Sequence, residues 1–254
     1  MGTPHGTALI TGGAWRVGEA IARDLAAHDF AVAVHHQSST DKAEELVEEI
    51  AEAGGKAVAI QADLTHMGEA SALIGEADKA LGPVTLLINN ASVFENDSVQ
   101  DFREDLWNRH FDLHVKAPAI LVRDFAAALP EEREGLVVNI IDQRVWSLTP
   151  RFFSYALSKS ALWTATQTMA QALAPRIRVN AIGPGPALRG ERQSLEDFER
   201  QTRAVLLGRG PELAEFGATI RYLWQARSVT GQMIALDGGQ HLAWQTPDVT
   251  EIRE

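Results

Sequence analysis

The chain contains no cysteine. Disulfides, thiolate catalysis and cysteine-based zinc sites are therefore excluded. It has no apolar run approaching the roughly 20 residues that a membrane-spanning helix needs. It also lacks an excess of basic charge. With 23 Lys and Arg against 34 Asp and Glu, the formal net charge is −11, so nucleic acid and anionic membrane surfaces are not expected partners. The opening Met1-Gly2-Thr3-Pro4-His5-Gly6 offers no signal-peptide apolar core, and Gly6 breaks a myristoylation pattern, so a cytoplasmic location is expected. No HExxH pattern occurs. His110 and His114 are spaced to share a helix face, but packing is the better reading of His110, and no metal is expected. No linker, repeat or low-complexity stretch divides the sequence.

What is present reads as one folded unit. The chain has 254 residues, 45% hydrophobic and 22% charged, enough to bury a sizeable core. Short apolar runs at 7–10, 30–34, 57–60, 84–88, 136–141, 177–182 and 233–236 read as strands. Helical patterns separate them. Val17, Ile21 and Leu25 recur after the first strand, followed by helices at 41–53, 66–81, 102–128, from the Tyr155 segment to 174, and 211–225. Continuously apolar strands alternating with helices imply a parallel sheet covered on both faces. The expectation is a single doubly wound α/β Rossmann domain over 1–254, with a seven-stranded parallel sheet and a tail at 240–254.

Polar residues gather where such sheets build sites, at the strand C-terminal ends. Thr11-Gly12-Gly13-Ala14-Trp15-Arg16-Val17-Gly18 follows the first strand and opens a helix. That context lets a backbone approach a pyrophosphate at a helix N-terminus. Asp63-Leu64 follows the third strand, and Asn89-Asn90-Ala91-Ser92 the fourth, with Phe94 just beyond. Asp142 follows the fifth, and Gly183-Pro184-Gly185-Pro186 the sixth. Each alone is an ordinary turn or cap. Together they lie in register with Tyr155 and Lys159, one helical turn apart. An ammonium beside a phenol favours the phenolate, so the Tyr155 pKa is expected to fall from its usual ~10 toward neutrality, suiting a general acid.

These residues resemble the short-chain dehydrogenase/reductases over nearly the whole chain, from Thr7 to about Leu242. The resemblance implies an NAD(P)-dependent oxidoreductase with Tyr155, Lys159 and Asp142 as catalytic residues. It implies cofactor binding by Gly12, Arg16, Val17, His36, Ser38, Ser39, Asp63, Leu64, Asn90, Ala91, Ser92, Tyr155, Lys159, Pro184 and Gly185. Departures from the general pattern point further. Arg16 stands where the family turn has Gly, Asp142 where it has the catalytic Ser, and His114 where it has a helix Asn. Arg16, Asp142, Asn89 to Ser92 and Phe94 together resemble the pteridine reductase branch, which includes dihydromonapterin and dihydrofolate reductases of this fold. That branch often has Ser where this chain has Ala187.

A pterin reading is physically coherent. Phe94 could stack on the flat ring opposite the nicotinamide. Arg16 could pair with a ring heteroatom or a phosphate. The substrate set is then Arg16, Ser92, Phe94, Asp142 and Tyr155. A carboxylate at position 142 suits a C=N substrate, with Asp142 and Tyr155 relaying the proton. After the second strand, His35-His36-Gln37-Ser38-Ser39-Thr40 offers no acid to hold ribose hydroxyls, so NADP(H) is expected over NAD(H). The segment 189–201 is expected to cover the substrate, and the tail to reach a neighbouring subunit of a homotetramer. Two other readings remain open: a carbonyl reductase of the 3-oxoacyl or sugar type, and a non-catalytic, cofactor-sensing binding protein.

Overall fold

The computed structural model describes residues 5–190 and 193–245. Seven parallel strands form one sheet: β1 (Gly6–Ile10), β2 (Phe30–His36), β3 (Lys56–Gln61), β4 (Val84–Asn89), β5 (Gly135–Ile140), β6 (Ile177–Pro184) and β7 (Met233–Leu236). Their order is β3-β2-β1-β4-β5-β6-β7. Every residue of β2, β4 and β5 is buried, as strands covered on both faces require. The two-residue period divides the core. Ala8, Ile10, Val32, Val34, Leu86 and Ile88 face one layer, packed with Ile21 and Leu25 of α1 (Arg16–Ala27), Leu46 of α2 (Thr40–Glu52) and Ile220 of α8 (Leu213–Gln225). Leu9, Ala33 and Leu87 face the other, against Leu73 of α3 (Met67–Leu81) and Phe125 of α5 (Ala117–Ala128). The sheet is doubly wound, as expected.

The strand order reverses between β1 and β4, which pair in register at Ile10 and Ile88. Connections leave this seam in opposite directions, so a crevice opens at its C-terminal edge. The turn after β1 and the segment after β4 form its two lips.

Two elements differ from the sequence reading. The expected helix at 102–128 consists of α4 (Glu104–Phe111), a π-helical turn (Asp112–Lys116) and α5. The wider turn re-aims the side chains beyond it, which apolar spacing does not reveal. It sets His114 against α6 (Phe153–Leu173), with Nδ1 2.8 Å from Ser158 Oγ; His110, near the end of α4, places its Nδ1 2.7 Å from Ser154 Oγ. The expected covering segment 189–201 contains the start of a helix, α7 (Leu195–Ala204), which buries no residue. Its Ser194 cap accepts from Asp197 N at 3.0 Å. Residues 246–254, most of the expected interface tail, lie outside the described residues. Among the described residues, no helix is long and apolar enough to cross a membrane.

Candidate active site

The turn after β1 is shaped by close approach. Gly12 has φ +61°, and a Cβ there would sit 3.1 Å from Ala91 Cα. A Cβ on Gly18 would lie 2.1 Å from Gly12 O, so only glycine fits. Thr11 Oγ1 accepts from the backbone N–H groups of Asn90 and Ala91 at 2.9 and 3.0 Å. Asn90 Nδ2 returns bonds to Thr11 O and Gly12 O at 2.9 and 3.0 Å. Asn90 therefore braces the two lips of the crevice. His35 is a second brace. Its Nδ1 accepts from Gly12 N and its Nε2 bonds Ala62 O, both at 3.0 Å, and burial pushes its pKa down to about 4.

Arg16 begins α1 in the left-handed region, at φ +55°, the conformation suited to the glycine of the family pattern. Its guanidinium donates to Arg189 O at 3.0 Å and Leu188 O at 3.2 Å. The side chain expected to hold cofactor or substrate thus also tethers the covering segment. Val17, expected at the cofactor, packs against the core.

The crevice is lined by Gly12, Trp15, His36, Ser38, Ser39, Asp63, Leu64, Ala91 and Ser92, among others. The N-terminus of α1 has no side-chain cap, leaving its first-turn N–H groups for an anion. His36 Nδ1 is buried with no partner and lies on the same wall. Lys42 Nζ stands 2.8 Å from the centre of the Trp15 ring, a cation and an aromatic surface that the sequence reading missed. These features fit a phosphorylated dinucleotide. At the far end, Pro184 closes β6, and Gly185 lies so near Asp237 that a Cβ would come within 2.6 Å of its Cα.

Tyr155 and Lys159 project from α6 toward the ends of β4 and β5. Tyr155 is 5% exposed and donates its hydroxyl to Asp142 Oδ2 at 3.0 Å. Burial first, then the Asp142 carboxylate, push its pKa well above 10; Arg144 opposes them. The expectation that Lys159 lowers this pKa toward neutrality is overturned. Lys159 Nζ donates to Ile140 O at 2.9 Å and stands 5.8 Å from the Tyr155 ring centre. Burial brings Lys159 itself down to about 8, against the pull of Asp142.

His114 links three segments. Its Nε2 accepts from Val93 N at 3.1 Å and lies 3.0 Å from Ser92 Oγ. Its Nδ1–H is thereby directed at Ser158 Oγ, which donates to Tyr155 O at 2.7 Å. Burial, then Lys159, hold His114 well below its usual pKa, so it is neutral. Among the described residues no cluster of three or more His, Cys, Asp or Glu could hold a metal.

Phe94 is 46% exposed, stacks on Phe152 at 4.4 Å and 14°, and meets Tyr155 edge-on at 4.8 Å. Phe152 has φ +57°, a strained conformation for a bulky residue, immediately before α6. The Arg144 guanidinium lies 5.3 Å from the Phe94 ring centre and 5.1 Å from that of Phe152. Sequence reasoning missed Arg144 and Phe152. The one available sign was Asp142 two residues before Arg144, the spacing of an Asp that caps its own turn.

Residues 6–199 match the short chain dehydrogenase family. An uncharacterized oxidoreductase of Methylorubrum extorquens is 32% identical over 240 residues, covering 91% of this chain and 96% of that protein. The 3-oxoacyl-acyl-carrier-protein reductase FabG of Staphylococcus epidermidis is 30% identical over 241 residues, covering 93% and 99%. Among solved structures, FolM alternative dihydrofolate reductase 1 from Brucella suis, in complex with NADP, is 58% identical with a TM-score of 0.94, covering 97% of this chain and 99% of that one. The Brucella canis FolM structure, also with NADP, is 57% identical with a TM-score of 0.95, each chain covered to 98%.

Two predictions follow from this geometry. Lys159 is an ammonium below its pKa of about 8 and loses that charge above it. If it holds the cofactor ribose, the NADPH dissociation constant should be flat to about pH 7 and rise beyond pH 8; Lys159→Met should be flat throughout. Fluorescence titration at each pH decides. Second, Arg16→Gly relieves left-handed strain of about 1–2 kcal/mol while losing two hydrogen bonds, so its melting temperature should stay near wild type. Arg16→Ala loses the same bonds and keeps the strain. It should melt lower, and equal melting of the two variants would mean that position 16 is unstrained.

Proposed function

This chain belongs to the short chain dehydrogenase family, and we propose that within it the protein is an NADPH-dependent reductase of pterin, dihydropterin or dihydrofolate rings. One observation carries the reading: the hydroxyl of Tyr155 faces a carboxylate, Asp142, beside the half-exposed Phe94 ring. A carboxylate there opposes the oxyanion that develops when a ketone accepts hydride. It favours a C=N group whose nitrogen takes up a proton. The likeness to FolM proteins, at 58% and 57% identity, supports this reading over a FabG-type carbonyl reductase, at 30%.

When bound, the reduced dinucleotide supplies the hydride. The remaining chemistry belongs to the chain. One hydride reaches the ring carbon and one proton the adjacent nitrogen, so C=N becomes CH–NH. Tyr155 holds that proton at its hydroxyl, and its high pKa keeps it protonated throughout the neutral range. Asp142, the acceptor of that hydroxyl, relays a replacement proton to it. The Lys159 ammonium offsets the charge left on the phenol. Phe94 offers a stacking face, and Ser92 a hydroxyl at the pocket edge. Absence of an acid after β2, with Ser38, Ser39 and Lys42 near the crevice, favours the 2′-phosphate of NADPH over the free ribose of NADH. The same reading makes the protein a cytoplasmic homotetramer; light scattering tests the assembly.

NADPH oxidation should be fast with dihydropterins or dihydrofolate and slow with simple ketones. Asp142→Ser should reduce pterin turnover by roughly 10²–10⁴-fold, the worth of a positioned acid–base group. Phe94→Ala should instead weaken substrate binding by about 1 kcal/mol beyond lost burial. A wild-type enzyme that ignores pterins and folates yet reduces a ketone would leave only the family assignment standing.

A further inference from the structure

Asp142 receives three donors. Tyr155 donates its hydroxyl to Oδ2 at 3.0 Å, Arg144 its backbone N–H to Oδ1 at 2.8 Å, and the Arg144 guanidinium a bond to Oδ2 at 3.1 Å. The Asp142 and Arg144 side chains are only 11% and 19% exposed, so the pair is shielded from bulk solvent. The same guanidinium sits beside both rings of the Phe94–Phe152 stack, near-equidistant from the two. Being near-equidistant from rings only 4.4 Å apart, it lies at their shared edge.

We propose that Arg144 is a positioning residue: it holds Asp142 as an ionised acceptor for Tyr155 and ties that carboxylate to the Phe94–Phe152 wall of the substrate slot. The proposal rests on the reading of Asp142 and Tyr155 as the proton-handling pair. The surroundings leave Arg144 little competition. Tyr155 and Lys159 of α6 act on the Asp142 carboxylate, while His110 and His114 meet the Tyr155 ring edge-on at 5.9 and 5.4 Å. Burial lowers the pKa of both histidines, well below the usual value for His114. Lys159 directs its ammonium to Ile140 O. Arg144 is therefore the cation in direct contact with the carboxylate. A buried carboxylate that loses its partner is costly and takes up a proton more readily. Without the Arg144 guanidinium, Asp142 loses one of its three donors and should hold the Tyr155 hydroxyl less firmly.

The chain has two tyrosines, Tyr155 and Tyr222, so tyrosine labelled with ¹³C at Cζ gives two resonances, and Tyr222→Phe assigns them. Arg144→Gln should move the Tyr155 resonance, and Arg144→Lys should restore part of the shift. In an Asp142→Asn background, Arg144→Gln should add nothing. With dihydropterin as substrate, Arg144→Gln should lower kcat on the order of ten- to a hundredfold and leave the NADPH dissociation constant near wild type. An unmoved Tyr155 resonance in folded Arg144→Gln protein would overturn the proposal. So would a raised KM with kcat unchanged, since Arg144 would then contact substrate. The resonance is read without substrate, so it decides the role of Arg144 even if wild-type enzyme reduces no pterin.

Discussion

The buried hydrogen bond from Tyr155 to Asp142 is the constraint around which the reaction centre is arranged. A phenol and a carboxylate share one proton-rich contact away from water. The carboxylate opposes phenolate formation, and burial opposes it further. Burial and the carboxylate thus favour the neutral phenol of Tyr155. On the proposed reading, the nearby cations Lys159 and Arg144 offset the charge that remains when the phenol proton leaves.

The fold serves that contact by bringing strand ends together. Asp142 follows β5, Tyr155 rises from α6, and the segment after β4 closes the third side. Neutral histidine and paired amide groups fix their spacing: His114 joins Val93 to α6, and Asn90 joins the glycine turn to the end of β4. Such braces suit a cofactor cleft, since each uses its hydrogen bonds internally and adds no charge where a phosphorylated ligand must bind. The π-helical turn is the local departure that makes the His114 brace possible.

The alternation of apolar strands with helical spacing made the sheet legible in the sequence, and the strand-end residues made Tyr155, Lys159 and Asp142 legible as a group. Three things were not legible. Neighbours in space but not in sequence, such as Lys42 over Trp15 and Phe152 on Phe94, have no periodic trace. A π-helical turn preserves apolar content while altering direction, so 102–128 read as one helix. Helix α7 buries no residue, so its apolar spacing at Leu195 and Phe198 marks no core face. The sign of the Tyr155 shift was misread for a related reason. Four-residue spacing showed the ammonium, but only the folded chain shows the nearer carboxylate and the depth of burial.

The reversed sign changes what the site is suited to reduce. A ketone accepting hydride places negative charge on oxygen, and a carboxylate in place of a serine hydroxyl would repel it. A C=N group can take its proton before or with the hydride. The protonated form is a cation, which an adjacent carboxylate stabilises, and hydride transfer then discharges it to a neutral amine. On the proposed reading, the negative charge of Asp142 would stabilise that cation, and Tyr155 would supply the proton from its neutral form. On that reading, the Arg144–Asp142 ion pair keeps the carboxylate beside the Phe94 ring. A carboxylate at position 142 thus suits the site, on the proposed reading, to a C=N group rather than to a ketone.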